Sequence, residues 1–343
     1  MLKNSIIVVG EIMKLFKNAN VVNIKNGTMS KSDILVDSGK IVKLEKNIKK
    51  DCEEIDLQGK FVLPPFVNAF SNSQNAVRNS FGVDVDKMLC RQLVICKNLL
   101  AGAIFLNDNP FVLDEIDQKE EKQLEYLSET AAKENLNIYI KVGQNLDELG
   151  TIDKKYGKSA AYVLEDFGFL DRSSVIVGAN CFEKDDFNVL KNYDKKVVVL
   201  PFEDGRIGRR LTNLVSLKFM NFDVNFGSGD FAEIDFFAYM RQELLYHRAL
   251  FEDGGVLTER DVFGIACNKK EICVGNFADF VVVSNDNLNC EDVFKTLVWT
   301  KSKRDVEMTV YKGEILQKNG KIFMQNLPQY DKIIEMIEHQ RRN

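Results

Sequence analysis

What most limits the fold of this chain is a change of texture along it. Two β-patterned ends bracket a middle in which strand-like and helix-like stretches alternate. Alternation of that kind makes parallel strands with helical crossovers, because parallel neighbours need a long connection between them. Apolar strand-like runs lie at 66–70, 103–106, 138–142, 175–179, 197–200 and 224–226. These are six parallel strands, and the pattern points to no others. The clearest helical stretch is 113–135, with Leu124, Leu127 and Ala131 on one stripe and the charge run 117–122 on a solvated face. At the N-terminal end, Asp33-Ile34-Leu35-Val36 and Ile41-Val42-Lys43-Leu44 flank Asp37-Ser38-Gly39-Lys40, which reads as a hairpin. The strand style continues over 55–63 and stops at Pro64-Pro65. Phe280-Val281-Val282-Val283, Thr309-Val310-Tyr311 before Lys312-Gly313, and the Asn319-Gly320 turn repeat it at the other end. Residues 328–342 read as a helix, with Pro328 in its first turn and Ile333, Ile334 and Ile337 on a stripe.

Composition narrows the function. The chain has 343 residues, 45% of them hydrophobic and 28% charged, as a packed globular protein needs. Its net charge of −5 argues against a nucleic-acid partner, which calls for a basic stripe. No apolar run approaches the ~18–20 residues of a membrane span. The segment Met1-Leu2-Lys3-Asn4-Ser5-Ile6-Ile7-Val8-Val9-Gly10-Glu11 has a short apolar core cut by Glu11 and no small-residue cleavage site, so it does not read as a signal peptide. Seven cysteines without such a leader read as reduced thiols of a cytoplasmic protein. Cys90/Cys96 and Cys267/Cys273 are each six apart, which is not a zinc-ribbon spacing.

The histidine count bears hardest on chemistry. Two histidines, His247 and His339, cannot build a multi-histidine metal centre. His247 falls mid-helix on the stripe of Phe237, Met240 and Leu244 and reads as a partly buried helix residue; His339 falls in the exposed part of the C-terminal helix. A Ser/His/Asp triad has no convincing base. Cys181 beside Asn180 reads either as a nucleophile without a nearby base or as a buried strand-end thiol. Asp204-Gly205-Arg206-Ile207-Gly208-Arg209-Arg210 reads either as a loop holding an anionic ligand or as an exposed charged loop. Gly227-Ser228-Gly229-Asp230 could turn backbone N–H groups toward an anion.

Both ends carry a family likeness. The run Asn26-Gly27-Thr28, then Asp33-Ile34-Leu35-Val36-Asp37-Ser38-Gly39-Lys40-Ile41-Val42, then Ile55-Asp56-Leu57-Gln58-Gly59-Lys60-Phe61-Val62-Leu63-Pro64-Pro65-Phe66-Val67-Asn68-Ala69 resembles the entry to the amidohydrolase superfamily. Val274-Gly275-Asn276-Phe277-Ala278-Asp279-Phe280-Val281-Val282 looks like that family's exit motif, and Arg304-Asp305-Val306 with Val310-Tyr311-Lys312-Gly313 fits it. Ile234-Asp235-Phe236-Phe237-Ala238-Tyr239-Met240-Arg241 is similar to a helix start of the deaminase and chlorohydrolase branch. The resemblance implies an α/β fold: a TIM-like (β/α)8 barrel over 64–274, a small β-sandwich domain built from 13–63 plus 275–325, and a C-terminal helix at 326–343. It also implies a site at the C-terminal ends of the barrel strands, where a divalent metal, usually Zn²⁺ or Fe²⁺, activates water against a C–N or C–Cl carbon.

At the positions where the family holds its metal ligands and catalytic acid, this chain has other residues. Phe70 and Asn72 stand at the His-x-His pair, Lys141 and Gln144 at the next His and Glu, Asn180 at the last His, and Gly229 at the catalytic Asp, with Asp230 one residue late. A catalytic zinc needs about three deprotonated protein ligands, which Phe, Lys and Asn do not supply. The reading that follows is a protein without its metal centre or any other cofactor, non-catalytic, binding a small-molecule ligand or associating with a second copy or an active relative. The alternative is an active hydrolase or deaminase using Lys141, Asn72, Asn180 and Asp230 without metal; a third reading is a structural partner with no open pocket. The ammonium of Lys141 is expected to replace part of the missing cationic charge by pairing with Asp230, Asn72 or Asn180.

Overall fold

The computed structural model describes residues 13–81, 87–105, 111–171, 173–285, 291–324 and 330–342. The segment 1–11, Leu106, Pro328 and the side chain of His339, on which expectations above rest, lie outside the described residues. The N-terminal strands are β1 (Lys14–Asn23), β2 (Thr28–Asp37), β3 (Lys40–Glu45), β4 (Glu53–Asp56) and β5 (Phe61–Leu63). Then come β6 (Phe66–Asn68), α1 (Ser73–Phe81), α2 (Lys87–Leu100), β7 (Ala103–Phe105), β8 (Phe111–Leu113), α3 (Glu121–Lys133), β9 (Ile138–Val142), α4 (Leu146–Tyr156), α5 (Ala160–Asp166) and β10 (Ser174–Gly178). The chain continues with α6 (Lys184–Asn192), β11 (Lys196–Val199), α7 (Pro201–Ile207), α8 (Leu214–Phe219), β12 (Val224–Phe226), α9 (Phe236–Phe251) and α10 (Glu259–Ala266). Last are β13 (Phe280–Val283), α11 (Val293–Thr300), β14 (Val306–Tyr311), β15 (Glu314–Lys318), β16 (Lys321–Ile322) and α12 (Tyr330–Arg342).

The two ends share one nine-stranded sheet, ordered β16-β15-β14-β13-β5-β1-β2-β3, with β4 beside β1. The join is β5 against β13, where Val62 faces Val282 across an antiparallel pair. Phe16, Ile34, Val62, Phe280 and Val310 bury one side of this sheet, and the rings of Phe16 and Phe280 meet edge to face at 5.0 Å. The matching texture of the ends thus has a structural cause: neither set of strands covers its apolar face alone.

The middle holds parallel strands, β12-β11-β10-β9-β8 in one sheet and β6-β7 in another. β12 and β6 approach at their C-terminal ends, through a parallel bridge between Ser71 and Gly229 and the Ala69 N–H donating to Phe226 O at 2.9 Å. Among the described residues no bonded pair joins β7 to β8, so the strands are not seen as a closed ring. β8 is a seventh parallel strand that the sequence pattern did not give. It occupies the start of the stretch expected as helix over 113–135, and α3 begins only at Glu121 behind a capping box of Glu120 and Gln123. The physical reason is that Val112 and Leu113 pair with Tyr139 and Ile140, while the helical stripe starts at Leu124.

Alternation along each strand splits the sheet into two faces. Ile138, Ile140, Ile176, Val197 and Val199 turn to the large core under the helices. Tyr139, Val177 and Val198 turn to the other face and pack with Phe70 and Leu200. Lys141, two residues after Tyr139, therefore emerges on that second face at the strand end. Of the described cysteines, Cys90, Cys96, Cys181 and Cys267 are buried and Cys52 and Cys273 are half-buried. No helix among the described residues is long and apolar enough to cross a membrane.

Candidate functional site

Charge gathers where β9, β11 and β12 end. Lys141 Nζ lies 3.0 Å from Asp230 Oδ2 and 3.5 Å from Glu203 Oε1. Glu203 sits in the first turn of α7, which follows β11 directly with Pro201 at its first helical position. Its other oxygen, Oε2, accepts the Asp230 N–H at 2.7 Å, and Arg209 Nη1 reaches Oε1 at 3.1 Å. The Glu203 side chain is only 3% exposed, that of Lys141 11% and that of Asp230 20%, so Asp230 is the member most open to a ligand. Burial opposes the charge on Lys141, but the carboxylates of Asp230 and Glu203 more than offset it and raise its pKa above the ordinary lysine value. The lysine is an ammonium at neutral pH.

A second acid stands behind the first. Asp204 is buried, accepts the Asn180 Nδ2–H at 2.7 Å and has Arg209 at 3.8 Å. Burial drives its carboxyl up to about 7, against the hydrogen bond from Asn180. Asn180 also donates to Arg210 O at 2.7 Å, and its Oδ1 has no hydrogen-bond partner. Gln144 Nε2, Ser71 Oγ and Asp204 Oδ1 are likewise buried without one. Beside them a cavity of about 340 Å³ is lined by Gln144, Cys181, Arg209 and Arg210, among others.

The structure brings some of the expected site residues together and separates others. Lys141 and Asp230 come together, and Asp230 is the acid with which the ammonium pairs. Asn72 and Asn180 are not its partners: Asn72 donates its N–H to Gly229 O and receives Asn75 N–H at the start of α1, and Asn180 serves Asp204. Phe70 is fully buried and stacks on Tyr139 with ring centroids 5.5 Å apart, so it is core beneath the mouth and not lining. Gly229 has φ +63°, and a Cβ there would fall on the Glu203 carboxylate. Its missing side chain is thus what admits Glu203. The 204–210 stretch expected as a loop is mostly helix α7, closed by Gly208 in the left-handed conformation. Two of its arginines are engaged, Arg206 with Glu233 at 3.4 Å and over the Phe231 ring, and Arg209 with Glu203. Sequence reasoning missed Glu203 and Asp204 as site residues. The available signal was an acid pair directly after a buried strand and a proline, a placement that opens a helix at a strand end.

The family implied a divalent ion here, and the donors in place do not fit one. Among the described residues no three His, Cys, Asp or Glu side chains gather as ligands. The carboxylates at the mouth already face an ammonium and a guanidinium, whose positive charge would repel a cation.

No family model matches the chain. Among the curated proteins that align along most of it are the 5-methylthioadenosine/S-adenosylhomocysteine deaminases of Thermococcus kodakarensis, 23% identical over 88% of this chain and 93% of its own length, and of Thermococcus onnurineus, 22% identical over 90% and 95%. A 5'-deoxyadenosine deaminase of Methanosarcina acetivorans is 23% identical over 63% of this chain and 52% of its own length. Among solved structures, a zinc-bound adenosine deaminase of Xanthomonas campestris has a TM-score of 0.77 at 13% identity, covering 96% of this chain and 99% of that one. The guanine deaminase of E. coli has a TM-score of 0.75 at 13% identity, covering 89% and 99%. These relatives correct the reading of a non-catalytic protein, because proteins aligned along nearly the whole chain are named as deaminases. The physical reason for the correction is that a template of metal ligands passes over the acids and cations the mouth does gather.

Proposed function

Because the chain belongs to the amidohydrolase superfamily, we propose that it is an active hydrolase of the deaminase kind, acting on a C–N bond through an atypical, metal-free site. The observation that carries this reading is the buried ammonium of Lys141 between Asp230 and Glu203 at the strand ends. Hydrolytic deamination adds water to an amine-bearing ring carbon and releases ammonia. One proton must leave the water and one must reach the leaving nitrogen. Asp230, the more exposed carboxylate, takes the proton from water. Lys141 donates a hydrogen bond to the negative charge that develops on the attacked ring, and its contact at 3.0 Å orients Asp230. Glu203 holds Lys141, Arg209 and the Asp230 backbone in place. Asp230 then passes that proton to the leaving nitrogen, so the C–N bond breaks with release of ammonia and the carboxylate is restored.

The relatives' names support one substrate class for this proposal: an adenosine whose 5' position carries a thioether or lacks its hydroxyl, with the purine amine as the group removed. The architecture belongs to the same proposal. We read 64–274 as a (β/α)8-type barrel, 13–63 plus 275–325 as the composite β domain, and 326–343 as a C-terminal helix.

The test is ammonia release from 5'-methylthioadenosine and S-adenosylhomocysteine by the full chain after dialysis against a chelator. Wild type should convert at least one of them, and Lys141→Met and Asp230→Asn should each lose on the order of a hundredfold or more in kcat. Release no faster than a protein-free blank ends the deaminase reading. Activity that disappears on chelation and returns with zinc ends the metal-free one.

A further inference from the structure

Helix α9 carries an acid and a histidine one turn apart, Glu243 and His247, both fully buried and unused by the reaction above. His247 Nδ1 lies 2.9 Å from the Glu243 carbonyl and 3.2 Å from Glu243 Oε2. Its Nε2 accepts the Leu214 N–H at 3.0 Å, with Thr212 O 3.1 Å away. Leu214 and Thr212 belong to the strip of chain that runs from Arg209 to α8 past the mouth. Thr212 Oγ1 donates to Gly178 O at 2.6 Å at the end of β10, Asn180 Nδ2 holds Arg210 O, and Arg209 reaches Glu203. Arg209 and Arg210 line the cavity beside Gln144 and Cys181. One imidazole therefore joins a sixteen-residue helix to the strip that walls one side of the site.

The protonation state follows from the partners. A backbone N–H only donates, so the bond from Leu214 needs the imidazole lone pair at Nε2, and the ring proton is left on Nδ1, facing Glu243. We propose that the Glu243–His247 pair is a clamp that positions residues 209–214 over the mouth, with His247 a neutral Nδ1–H positioning residue that touches no reactant. Adding a proton at Nε2 would release the Leu214 N–H and turn the grip onto Thr212 O. Burial opposes a charge on the ring, and Glu243 with the Thr212 carbonyl more than offsets it and raises the His247 pKa; against that stands the Leu214 N–H, which an imidazolium has no lone pair to accept. Burial raises the Glu243 carboxyl, against the contact with His247, which lowers it. From α7, Asp204 adds a like charge that works in the same direction as burial on Glu243. Arg248 is turned away to Glu259 at 3.1 Å and Arg241 to the carbonyls of Val298 and Lys301, so neither faces the pair. The clamp rests on the deaminase reading only for its effect on turnover; its existence is tested without substrate.

Two measurements on the full chain test it. The chain has only two histidines, so imidazole ¹⁵N spectra resolve each one. His247 should give the neutral Nδ1–H pattern and keep it between about pH 6 and 8. An Nε2–H tautomer, or an imidazolium titrating in that range, overturns the proposal. The second measurement is the alkylation rate of the Cys181 peptide, with the fully buried Cys267 as control. His247→Leu removes the acceptor, and Cys181 should react on the order of tenfold faster while Cys267 stays protected. His247→Gln offers an oxygen to Leu214 and should bring Cys181 back to within about twofold of wild type. An unchanged Cys181 rate in His247→Leu, equal acceleration in both variants, or a matching rise at Cys267 overturns the clamp. Should His247→Leu fail to fold, the wild-type spectrum and the Gln variant still decide the matter.

Discussion

At the scale of single residues, the site is an exchange of side chains between neighbouring strand ends. Position 229 has none, and Glu203 from the next strand end fills its space. That exchange explains what sequence reading could and could not find. Lys141 and Asp230 were legible because each lies at or just beyond the end of a strand whose pattern is plain. Glu203 and Asp204 were not, because the family pattern directs attention to position 229 and the next strand end reads as a loop. Asp204 also carries a measurable consequence. Its buried carboxyl holds a proton to about pH 7, whereas an unfolded aspartate loses its proton near 3.8. The folded chain therefore binds more protons than the unfolded one across that window. Its contribution is least unfavourable below pH 3.8, worsens as the pH rises toward 7 and is constant above. Asp204→Asn, which can still accept from Asn180, should unfold at higher denaturant than wild type at pH 8, by about 2–4 kcal/mol, and gain little at pH 4. Equal midpoint shifts at the two pH values would show that this carboxyl does not titrate with folding.

At the scale of elements, the approach of β6 to β12 is what brings Ser71, Gly229 and Asp230 to one rim. Besides the backbone bridge it has a reciprocal side-chain bond. Asn68 Nδ2 donates to Ser228 Oγ at 2.9 Å, and Ser228 N–H donates to Asn68 Oδ1 at 3.1 Å, with Asn68 fully buried. Buried polar groups are paired or costly, so Asn68 holds this seam. Asn68→Ala should cost about 1–3 kcal/mol and strand the Ser228 hydroxyl. Amide exchange at Ser228 and Gly229, whose N–H groups also bond Phe70 O at 2.9 and 3.1 Å, should quicken more than exchange in β10, at the centre of the parallel sheet. Uniform quickening across all the strands would contradict a local seam. The element scale is also where pattern reading was weakest. β8 has three residues, too few to show a period, and its partner β9 lies 25 residues on in the chain, so only pairing reveals it.

At the scale of the whole molecule, the sheet shared by both ends makes the fold close on itself. β5 lies between β1 and β13, so the strand leading into the parallel core is flanked by one strand from each terminus. This was the most legible part of the chain, because strands that cover one apolar face repeat one texture wherever they occur. Its energetic meaning is that the N-terminal strands do not complete their core without the C-terminal ones. Phe280, Val282, Met308 and Val310 supply one side of the cluster that buries Phe16, Ile34 and Val62. A chain ended at residue 274 would expose those apolar faces and leave β5 as an unpaired edge, both of which favour aggregation and loose packing. At roughly 1.5–3 kcal/mol for each large apolar side chain uncovered, the loss rivals a domain's entire net stability of about 5–15 kcal/mol. The truncated chain should lose its sharp thermal transition, bind a hydrophobic dye and show collapsed amide dispersion even where the parallel strands are intact in sequence. A 1–274 chain that melts cooperatively near the full-length temperature would mean that the parallel core folds without the sheet, and the two ends would then be an appended layer.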